Sequence, residues 1–354
     1  SGYINNNIKQ KIDILIGEQD IKGVCESRII FPYRSMSSQV RLDINISDTI
    51  KLNNKIYDYP KVFIFTRAIH TRNDNDINKI KKLIDNNYLI IMDYDDDPNI
   101  ITKIHPEFTD WDFTFKSVHA IQTTNEYLAN YLKSFNPEVK AFRNSVPQIG
   151  EIKEPSMSSY LRIFFGAINR KSDWIPWIET LNNISKKNPN KLFFDIIHDV
   201  NFYNSLEVPQ SQKRFTPTCE YYKYLQIMKG CDICFLPLNN NHFNNCKSDL
   251  KAVEAASFGL ALLASPVVYK ENFRNGIEAS FFEDINTLNN ILTDWINDPT
   301  KAALIGRNAQ KYVLKNRLFC YQYDERKKWY DDLWIRKDDL TRAIYIRESE
   351  IFKP

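Results

Sequence analysis

The sequence predicts an α/β protein of two domains, each a parallel sheet wrapped by helices. Three observations support this fold class. Short apolar runs typical of buried strands alternate with segments of helical periodicity. The alternation restarts after a segment rich in Pro, Ser and Gly. The 354 residues are also enough to bury two separate cores.

The first half of the chain contains six strand-like runs. Between the third and fourth runs, "NDINKIKKLIDNN" places Ile77, Ile80, Leu83 and Ile84 at helical spacing, which predicts an amphipathic helix. The helix "NEYLANYLKSF" separates the fifth run from the sixth. This β-α-β order favours parallel strand pairing. The strand-like runs cover residues 11–17, 41–46, 61–69, 88–93, 120–124 and 139–144.

The same order of elements returns in the second half. Residues 145–160 have no periodicity and are interpreted as an interdomain linker. The strands "LRIFFGA", "KLFFDII", "DICFLPL" and "LALLAS" alternate with helices at about 174–187, "CEYYKYLQIMKG" and about 248–258. The helices "DINTLNNILTDWIND" and "PTKAALIGRNAQKYVLKN" follow. The last helix, "YQYDERKKWYDDLWIRKDDL", is expected to fold back across both domains.

These elements predict two Rossmann-like domains with parallel sheets facing a central cleft. Ligands of such sheets bind outside the carboxyl ends of the strands. We place the first domain at residues 1–150, the second at residues 151–318, and the returning C-terminal helix with its tail at residues 319–354.

Composition excludes several classes of protein. The net charge of +3 and the pI near 8.3 are too mild for a nucleic-acid-binding protein. No apolar run approaches the roughly 20 residues of a membrane span, and no secretory segment is recognisable at the N-terminus. The cysteines are scattered, which predicts a cytoplasmic protein, with peripheral association at the inner face of the membrane as an open alternative.

A charged loop runs into an apolar helix in "NCKSDLKAVEAASFG". Helix N-termini attract phosphates, and Ser248 or Asp249 would cap this helix. Lys247 and Lys251 are four residues apart, so both could reach a diphosphate from one face. Glu254 could accept hydrogen bonds from sugar or ribose hydroxyls. An ordinary capped helix with solvated lysines is the alternative interpretation.

A second cationic loop follows the strand that ends at Gly166. Arg170 and Lys171 come directly after this strand, at the edge of the sheet where the loop of Lys247 is also expected. Cations that converge from two loops favour a phosphate-binding site. The sequence therefore predicts an anionic, nucleotide-linked ligand.

The segments "GAINRKSDW", "CEYYKYLQIMKGCDICFLPL" and "NCKSDLKAVEAASFGLALLASP" resemble the group 1, family 4-like GT-B glycosyltransferases that assemble surface polysaccharides such as O-antigen, lipopolysaccharide and capsule. The resemblance covers residues 61–334 and is strongest over residues 161–266. It implies that Arg170 and Lys171 bind the donor diphosphate. It also implies that Glu254 holds the ribose of the nucleotide.

The chain departs from the family pattern at Cys246. The first of the family's paired glutamates, which contacts the donor sugar, would fall at this position. Lys247, Ser248 or Asp249 is the candidate to take over that contact. The resemblance further implies chemistry without a bound metal, since GT-B enzymes generally do not need a cation.

Four carboxylates follow a strand in "IIMDYDDDP": Asp93, Asp95, Asp96 and Asp97. They suggest a metal site, an acceptor-binding surface with a general base, or a polar loop that caps the strand. The resemblance favours the acceptor-binding cleft, with Asp93 as the catalytic residue at the position of a cleft histidine. Arg67, at the end of the preceding strand, is expected to orient these carboxylates or to contact the acceptor.

Together these features predict a glycosyltransferase that moves a sugar from a nucleotide-activated donor to a glycan or lipid-linked glycan, with retention at the anomeric carbon. The N-terminal domain would bind the acceptor and the C-terminal domain the donor. No cofactor or metal is expected, because the nucleotide sugar is a substrate. Two alternatives stay open: a GT-B nucleotide-sugar epimerase, and a non-catalytic two-domain protein that binds a sugar or nucleotide.

Overall fold

The structure, a computed structural model, describes residues 9–16, 26–37, 42–154 and 158–352. The chain divides into two compact units. The first unit consists of Ser1–Arg143, Cys246–Ser248 and Phe319–Pro354, and the second of Asn144–Asn245 and Asp249–Leu318. Each unit contains a sheet of six parallel strands, so the predicted α/β class with two parallel sheets is confirmed.

The sheet of the first unit has the strand order β2-β1-β3-β4-β5-β6. Its strands are β1 (Gln10–Ile16), β2 (Leu42–Ser47), β3 (Lys61–Thr66), β4 (Leu89–Asp93), β5 (Ala120–Thr123) and β6 (Val139–Ala141). The central strands β3 and β4 are buried along their whole length, as expected for a sheet covered on both faces. The register places Thr66, Asp93 and Gln122 side by side at the carboxyl edge. The predicted strand ends at residues 17 and 41 lie outside the described residues.

The helices of this part of the chain are α1 (Phe31–Ser37), α2 (Asp74–Asp85), α3 (Ile100–Ile104), α4 (Phe113–Lys116) and α5 (Glu126–Leu132). The periodicity of α2 predicted it correctly, because Ile80 and Leu83 are fully buried. The Asn73 side chain accepts a hydrogen bond from the Asp76 amide at 2.9 Å, which caps the helix.

The sheet of the second unit has the strand order β12-β11-β10-β7-β8-β9. Its strands are β7 (Leu161–Gly166), β8 (Leu192–Ile197), β9 (Lys213–Thr216), β10 (Ile233–Leu236), β11 (Ala261–Ala264) and β12 (Ala279–Phe281). Along β7, Ile163 and Phe165 belong to one apolar core and Phe164 to another, so both faces of the sheet are covered.

The helices of the second unit are α6 (Lys171–Lys187), α7 (Val200–Ser205), α8 (Tyr221–Lys229), α9 (His242–Asn245), α10 (Leu250–Ser257), α11 (Ile285–Asn297) and α12 (Pro299–Asn316). The short elements β9, β12, α7 and α9 were not predicted from sequence, since three to six residues carry too little periodicity. None of the described helices of the chain is long and apolar enough to pass through a lipid bilayer.

The final helical segment is interrupted, where the sequence predicted one helix. It forms α13 (Tyr323–Ile335) and α14 (Lys337–Arg347), which are separated at Arg336. Both belong to the first unit, where Tyr330 and Leu333 lie in one core with strand residues such as Ile64.

The predicted linker is held in the second unit. The Val146 amide donates to the Arg317 carbonyl at 3.0 Å, and the Gly150 amide donates to the Ser257 carbonyl at 3.1 Å. The Lys153 amide donates to Gln310 Oε1 at 3.1 Å. Residues 144–154 therefore form part of this unit, a correction to the linker interpretation, which rested on Pro, Ser and Gly content and on the lack of periodicity.

A close backbone contact joins α12 to the turn before β11. A Cβ placed on Gly306 would lie 2.1 Å from the carbonyl oxygen of Gly259, well inside van der Waals distance. Gly259 itself has a φ of +77°, a conformation that favours glycine. Both glycines are thus required by packing of α12 on the sheet.

We expect Gly306→Ala to lower the free energy of unfolding by about 1–3 kcal/mol, although alanine is the better helix former, because the added methyl meets backbone. Urea unfolding would measure the loss. Gly230→Ala is the matched control, since a Cβ there has its nearest neighbour at an ordinary 3.5 Å. Equal stability of the two variants would contradict the close approach.

Candidate functional site

A pocket, referred to below as the cavity, lies at the carboxyl edge of the second unit's sheet. The ends of β7 and β10 form its floor, with Gly166 at the end of β7. Arg170, Lys251 and Tyr269 bring polar groups to its wall. The structure therefore gathers three of the predicted donor-site residues, Gly166, Arg170 and Lys251, around one cavity.

Arg170 immediately precedes α6, and one of its guanidinium nitrogens is held by the protein. Its Nη1 donates to Asn244 Oδ1 at 2.9 Å and lies 3.3 Å from Asp173 Oδ2. Among the described residues, Nε and Nη2 of Arg170 have no hydrogen-bond partner, and the side chain is 17% exposed. Two donors are therefore available to an anion in the cavity.

Lys171 does not accompany Arg170. Its side chain is exposed, and it is not among the described residues that line the cavity. Arg170 is the N-cap residue of α6 and Lys171 is its first residue, so the two side chains leave the backbone at different places. The predicted diphosphate contact of Lys171 stays a prediction. Lys251, in the first turn of α10, is the cation that shares the cavity with Arg170.

Glu254 is buried one turn further along α10, with 3% of its surface exposed. The Tyr221 hydroxyl donates a hydrogen bond to Glu254 Oε1 at 2.6 Å. Burial raises the pKa of Glu254 to about 7, although the Tyr221 hydrogen bond and the charge of Lys251 act in the opposite direction. Glu254 is not among the described residues that line the cavity, and Lys251 is the cation whose charge acts on it.

Asp249 occupies the N-cap position of α10, but its carboxylate makes no cap hydrogen bond. Arg317 Nη1 and Nη2 each donate to one of its oxygens at 2.7 Å, and Asn272 Nδ2 donates at 2.8 Å. Both side chains of the ion pair are at most 5% exposed. The predicted capping role of Asp249 is therefore wrong, since its carboxylate forms a buried ion pair instead, and its predicted donor contact stays a prediction.

Lys247 and Ser248 belong to the first unit and precede α10, which begins only at Leu250. Lys247 Nζ lies 2.8 Å from Asp96 Oδ1, and the Lys247 carbonyl accepts a hydrogen bond from Asn125 Nδ2. The expectation that Lys247 and Lys251 share one helical face is therefore wrong. Ser248 is half-buried, and its predicted donor contact stays a prediction.

The aspartates after β4 are in large part paired with cations inside the first unit. Asp93 is fully buried, and Arg28 binds it through Nη2–Oδ2 at 2.6 Å and Nε–Oδ1 at 3.1 Å. Gln122 Nε2 also donates to Asp93 Oδ2, at 2.6 Å. This burial gives Asp93 a structural partner, and its predicted catalytic role stays a prediction.

Arg67 pairs with the next aspartate, Asp95, at 2.5 Å between Nε and Oδ1. Burial opposes ionisation of Asp95, but the charge and hydrogen bond of Arg67 outweigh it and keep the Asp95 pKa below its usual value. Asp97 Oδ1 accepts hydrogen bonds from the Asn99 amide and side chain, which shapes the turn before α3. The expectation that Arg67 orients this cluster agrees with these contacts.

Three residues of the site lay outside the sequence-based prediction: Asn244, Tyr221 and Tyr269. Polar and aromatic residues of this kind occur throughout the chain, so composition gave no signal for them. Tyr269 follows Val268, whose φ of +70° is unusual for a β-branched residue and costs on the order of 1–3 kcal/mol. Such strain next to a cavity-lining side chain is typical of functional sites.

Comparisons with known proteins agree with this architecture. Anabaena HepE, solved in complex with UDP and glucose, is 13% identical over 90% of this chain and 99% of its own, with a TM-score of 0.58. Sucrose-phosphate synthase from Thermosynechococcus elongatus is 13% identical over 92% and 100% of the two chains, with a TM-score of 0.61. The chain has the fold of the GT-B glycosyltransferases. A glycosyltransferase from Rickettsia africae ESF-5 has the same identity, with coverages of 92% and 98% and a TM-score of 0.62.

The sequence comparisons cover a smaller part of the chain. Residues 180–325 match a family described as glycosyl transferase-like, a range that includes α8, α10 and Glu254 of the GT-B fold. No curated protein sequence matches the chain. At these low identities the similar structures establish the fold.

Glu254 should make the stability of the protein depend on pH. The folded pKa of about 7 lies above the ordinary 4.5, so the unfolded state loses its Glu254 proton first as the pH rises. The free energy of unfolding of the wild type, relative to that of Glu254→Gln, is therefore highest below pH 4.5 and falls as the pH rises to about 7. Over this pH range the difference in free energy of unfolding between wild type and Glu254→Gln should change by on the order of 3 kcal/mol. Urea unfolding at several pH values would measure it.

Glu278→Gln is the control, because the pH dependence of its effect on the free energy of unfolding should have the opposite sign. Burial opposes ionisation of Glu278, but Arg274 lowers its pKa, so its contribution is present above pH 4.5 and is lost as the pH falls. A pH-independent difference between Glu254→Gln and the wild type would contradict the raised pKa.

Arg317→Ala should lower the free energy of unfolding by about 3–5 kcal/mol, since it leaves the Asp249 carboxylate buried without its cation. Arg307→Ala is the matched control. Arg307 pairs with Glu154 at 3.2 Å on the surface of the same unit, and loss of an exposed pair costs about 0–1 kcal/mol. Chemical denaturation of both variants would compare them, and similar losses would refute the buried ion pair.

Proposed function

We propose that the chain is a glycosyltransferase that moves a sugar from a nucleoside-diphosphate donor to a glycan or lipid-linked glycan, with retention at the anomeric carbon. The observation that carries the proposal is the cavity at the carboxyl edge of the second unit. There, Arg170, two of whose nitrogens have no hydrogen-bond partner among the described residues, lines the cavity together with Lys251, and the buried Glu254 follows Lys251 by one turn of α10. The GT-B fold and the family match over residues 180–325 support it.

Each group has a task that suits its chemistry. Arg170 and Lys251 would stabilise the negative charge that develops on the leaving diphosphate, an interaction that is stronger in the transition state than in the bound substrate. Glu254 would accept hydrogen bonds from the ribose hydroxyls. The lack of a side chain at Gly166 leaves room for the rings of Phe164 and Tyr224, which a Cβ there would meet at 2.8 Å.

For the donor, we propose a uridine or related nucleotide sugar. HepE was solved with UDP and glucose, and also with UDP-glucose, which supports this class of donor for a chain of the same fold. The sugar is proposed to leave its diphosphate without help from a metal ion. Asp93, Asp95 and Asp96 are already paired with Arg28, Arg67 and Lys247, which supports that part of the proposal.

The acceptor is proposed to bind the first unit near Arg67 and Asp95. Only Nε of Arg67 is engaged among the described residues, which leaves Nη1 and Nη2 to meet acceptor hydroxyls. The fully buried Asp93 would act as a positioning residue through Arg28. A role in surface polysaccharide assembly, with a lipid-linked acceptor at the inner face of the membrane, stays a prediction from the family resemblance.

Ligand-induced thermal stabilisation would test the donor site. The wild type should be stabilised by one nucleotide among UDP, GDP, ADP, dTDP and CMP, with or without magnesium. Arg170→Ala and Lys251→Ala should each weaken binding about tenfold or more, since a hydrogen bond to a charged group contributes about 1.5–3 kcal/mol. Lys171→Ala is the matched control and should bind as the wild type does.

The outcomes separate the alternatives. If Lys171→Ala loses nucleotide binding and Lys251→Ala does not, Lys171 is the second cation at the diphosphate, as the family resemblance implied. Failure of every nucleotide to stabilise the wild type would reject the donor site. Conversion of a nucleotide sugar to its epimer without added acceptor would identify the epimerase, and binding without turnover of any sugar donor would favour the non-catalytic protein.

A further inference from the structure

We propose that Asn244 is a positioning residue that keeps the guanidinium of Arg170 available to a diphosphate. The proposal rests on the proposed donor site. It gives the asparagine-rich segment around α9 a role in that site. Asn244 lies between Arg170 and Asp173 and hydrogen-bonds to both. It thereby prevents the arginine from closing onto the carboxylate.

The contacts of Asn244 are specific. Its Oδ1 accepts from Arg170 Nη1 at 2.9 Å, and its Nδ2 donates to Asp173 Oδ1 at 2.8 Å. Nδ2 also donates to the Asn239 carbonyl at 3.0 Å. Asn244 and Asp173 are 2% and 3% exposed, so water does not compete for these bonds.

Neighbouring residues fix the amide in this orientation. The Asn244 backbone amide donates to Asn241 Oδ1 at 2.8 Å. The Asn239 amide donates to Asp173 Oδ1 at 2.9 Å, and its side chain donates to the Ser172 carbonyl at 2.7 Å. The segment is thus attached to the first turn of α6, directly beside Arg170.

The physical reason for an asparagine is its neutral amide, which can donate and accept at once. An arginine next to a carboxylate prefers two parallel hydrogen bonds, one from each side of its planar fork. Here Asp173 Oδ1 is occupied by the Asn244 and Asn239 donors. Arg170 therefore reaches only Oδ2, with Nη1 alone and at 3.3 Å.

Without the Asn244 amide, Nη1 loses its shorter acceptor and Asp173 Oδ1 loses a donor. Arg170 then turns onto Asp173 and forms the two-bond ion pair. Nη2 is withdrawn from the cavity, and the positive charge is neutralised by a buried carboxylate. A nucleoside diphosphate would lose a partner, whereas a nucleoside without phosphates would lose nothing.

Isothermal titration with UDP and GDP, and with uridine and guanosine as the matching nucleosides, tests this. We expect Asn244→Ala to weaken binding of the preferred diphosphate about tenfold, with the affinity for its nucleoside unchanged to within about twofold. Adding Asp173→Asn to that variant removes the competing charge and should recover most of the lost affinity. Such non-additivity is the signature of coupled residues.

Asn182→Ala is the control for a purely structural loss. Asn182 is also buried in the second unit and makes two hydrogen bonds of 2.9 Å, to the Ser205 carbonyl and from the Glu207 amide. It should lower the unfolding temperature, as Asn244→Ala does, and leave nucleotide binding unchanged.

The results distinguish this proposal from the proposed function. If the wild type binds neither diphosphate more tightly than its nucleoside, the donor site fails and the positioning role with it. If the wild type prefers the diphosphate and Asn244→Ala retains that preference, only the positioning role is overturned. Equal weakening of diphosphate and nucleoside, or no recovery in the double variant, also overturns it.

Discussion

The cost of burying charge at the carboxyl ends of the strands is the constraint on which both units depend. A buried ion loses several kcal/mol of hydration free energy, and a single well-made partner must offset it. Each unit meets the cost with an arginine that binds both oxygens of one aspartate. Arg28 binds Asp93 at the end of β4, and Arg317 binds Asp249 at the start of α10. Both pairs are buried, so each aspartate of the pair already has a cationic partner within its own unit.

Because most buried charges in the two units are paired, a buried or half-buried charged group with unused hydrogen-bonding capacity is a candidate for ligand binding. Among the described residues, Arg170 has one nitrogen held by the protein and two without hydrogen-bond partners, and Glu254 has a tyrosine hydroxyl in place of a cation. Arg170 lines the cavity at the carboxyl edge of the second sheet, and Glu254 lies in the same unit on α10. The raised pKa of Glu254 is the electrostatic expression of that incomplete pairing.

Local sequence predicted the fold well and the site only in part, for a physical reason. Strands and long helices such as α2 show a regular spacing of apolar residues, and a short stretch of sequence is enough to recognise that spacing. The partner of a buried charge is not local: Asp249 and Arg317 are 68 positions apart, and Arg28 and Asp93 are 65 apart. Three residues chosen from spacing, Gly166, Arg170 and Lys251, line one cavity, but spacing could not show that Asp249 is paired with Arg317 or that Asn244 lies beside Arg170.

The separation of Arg170 from Lys171 shows how a cationic site must be assembled. Arg170 lines the cavity and the adjacent Lys171 does not, so two cations that are neighbours in sequence do not by themselves define a pair at one site. The second cation at the cavity comes from another element, Lys251 of α10. In the proposed donor site, Arg170 at the start of α6 and Lys251 of α10 would contact a phosphate group from two elements. The geometry of such a site would depend on how both elements pack on the sheet, and therefore on buried contacts such as the Asp249–Arg317 pair at the start of α10.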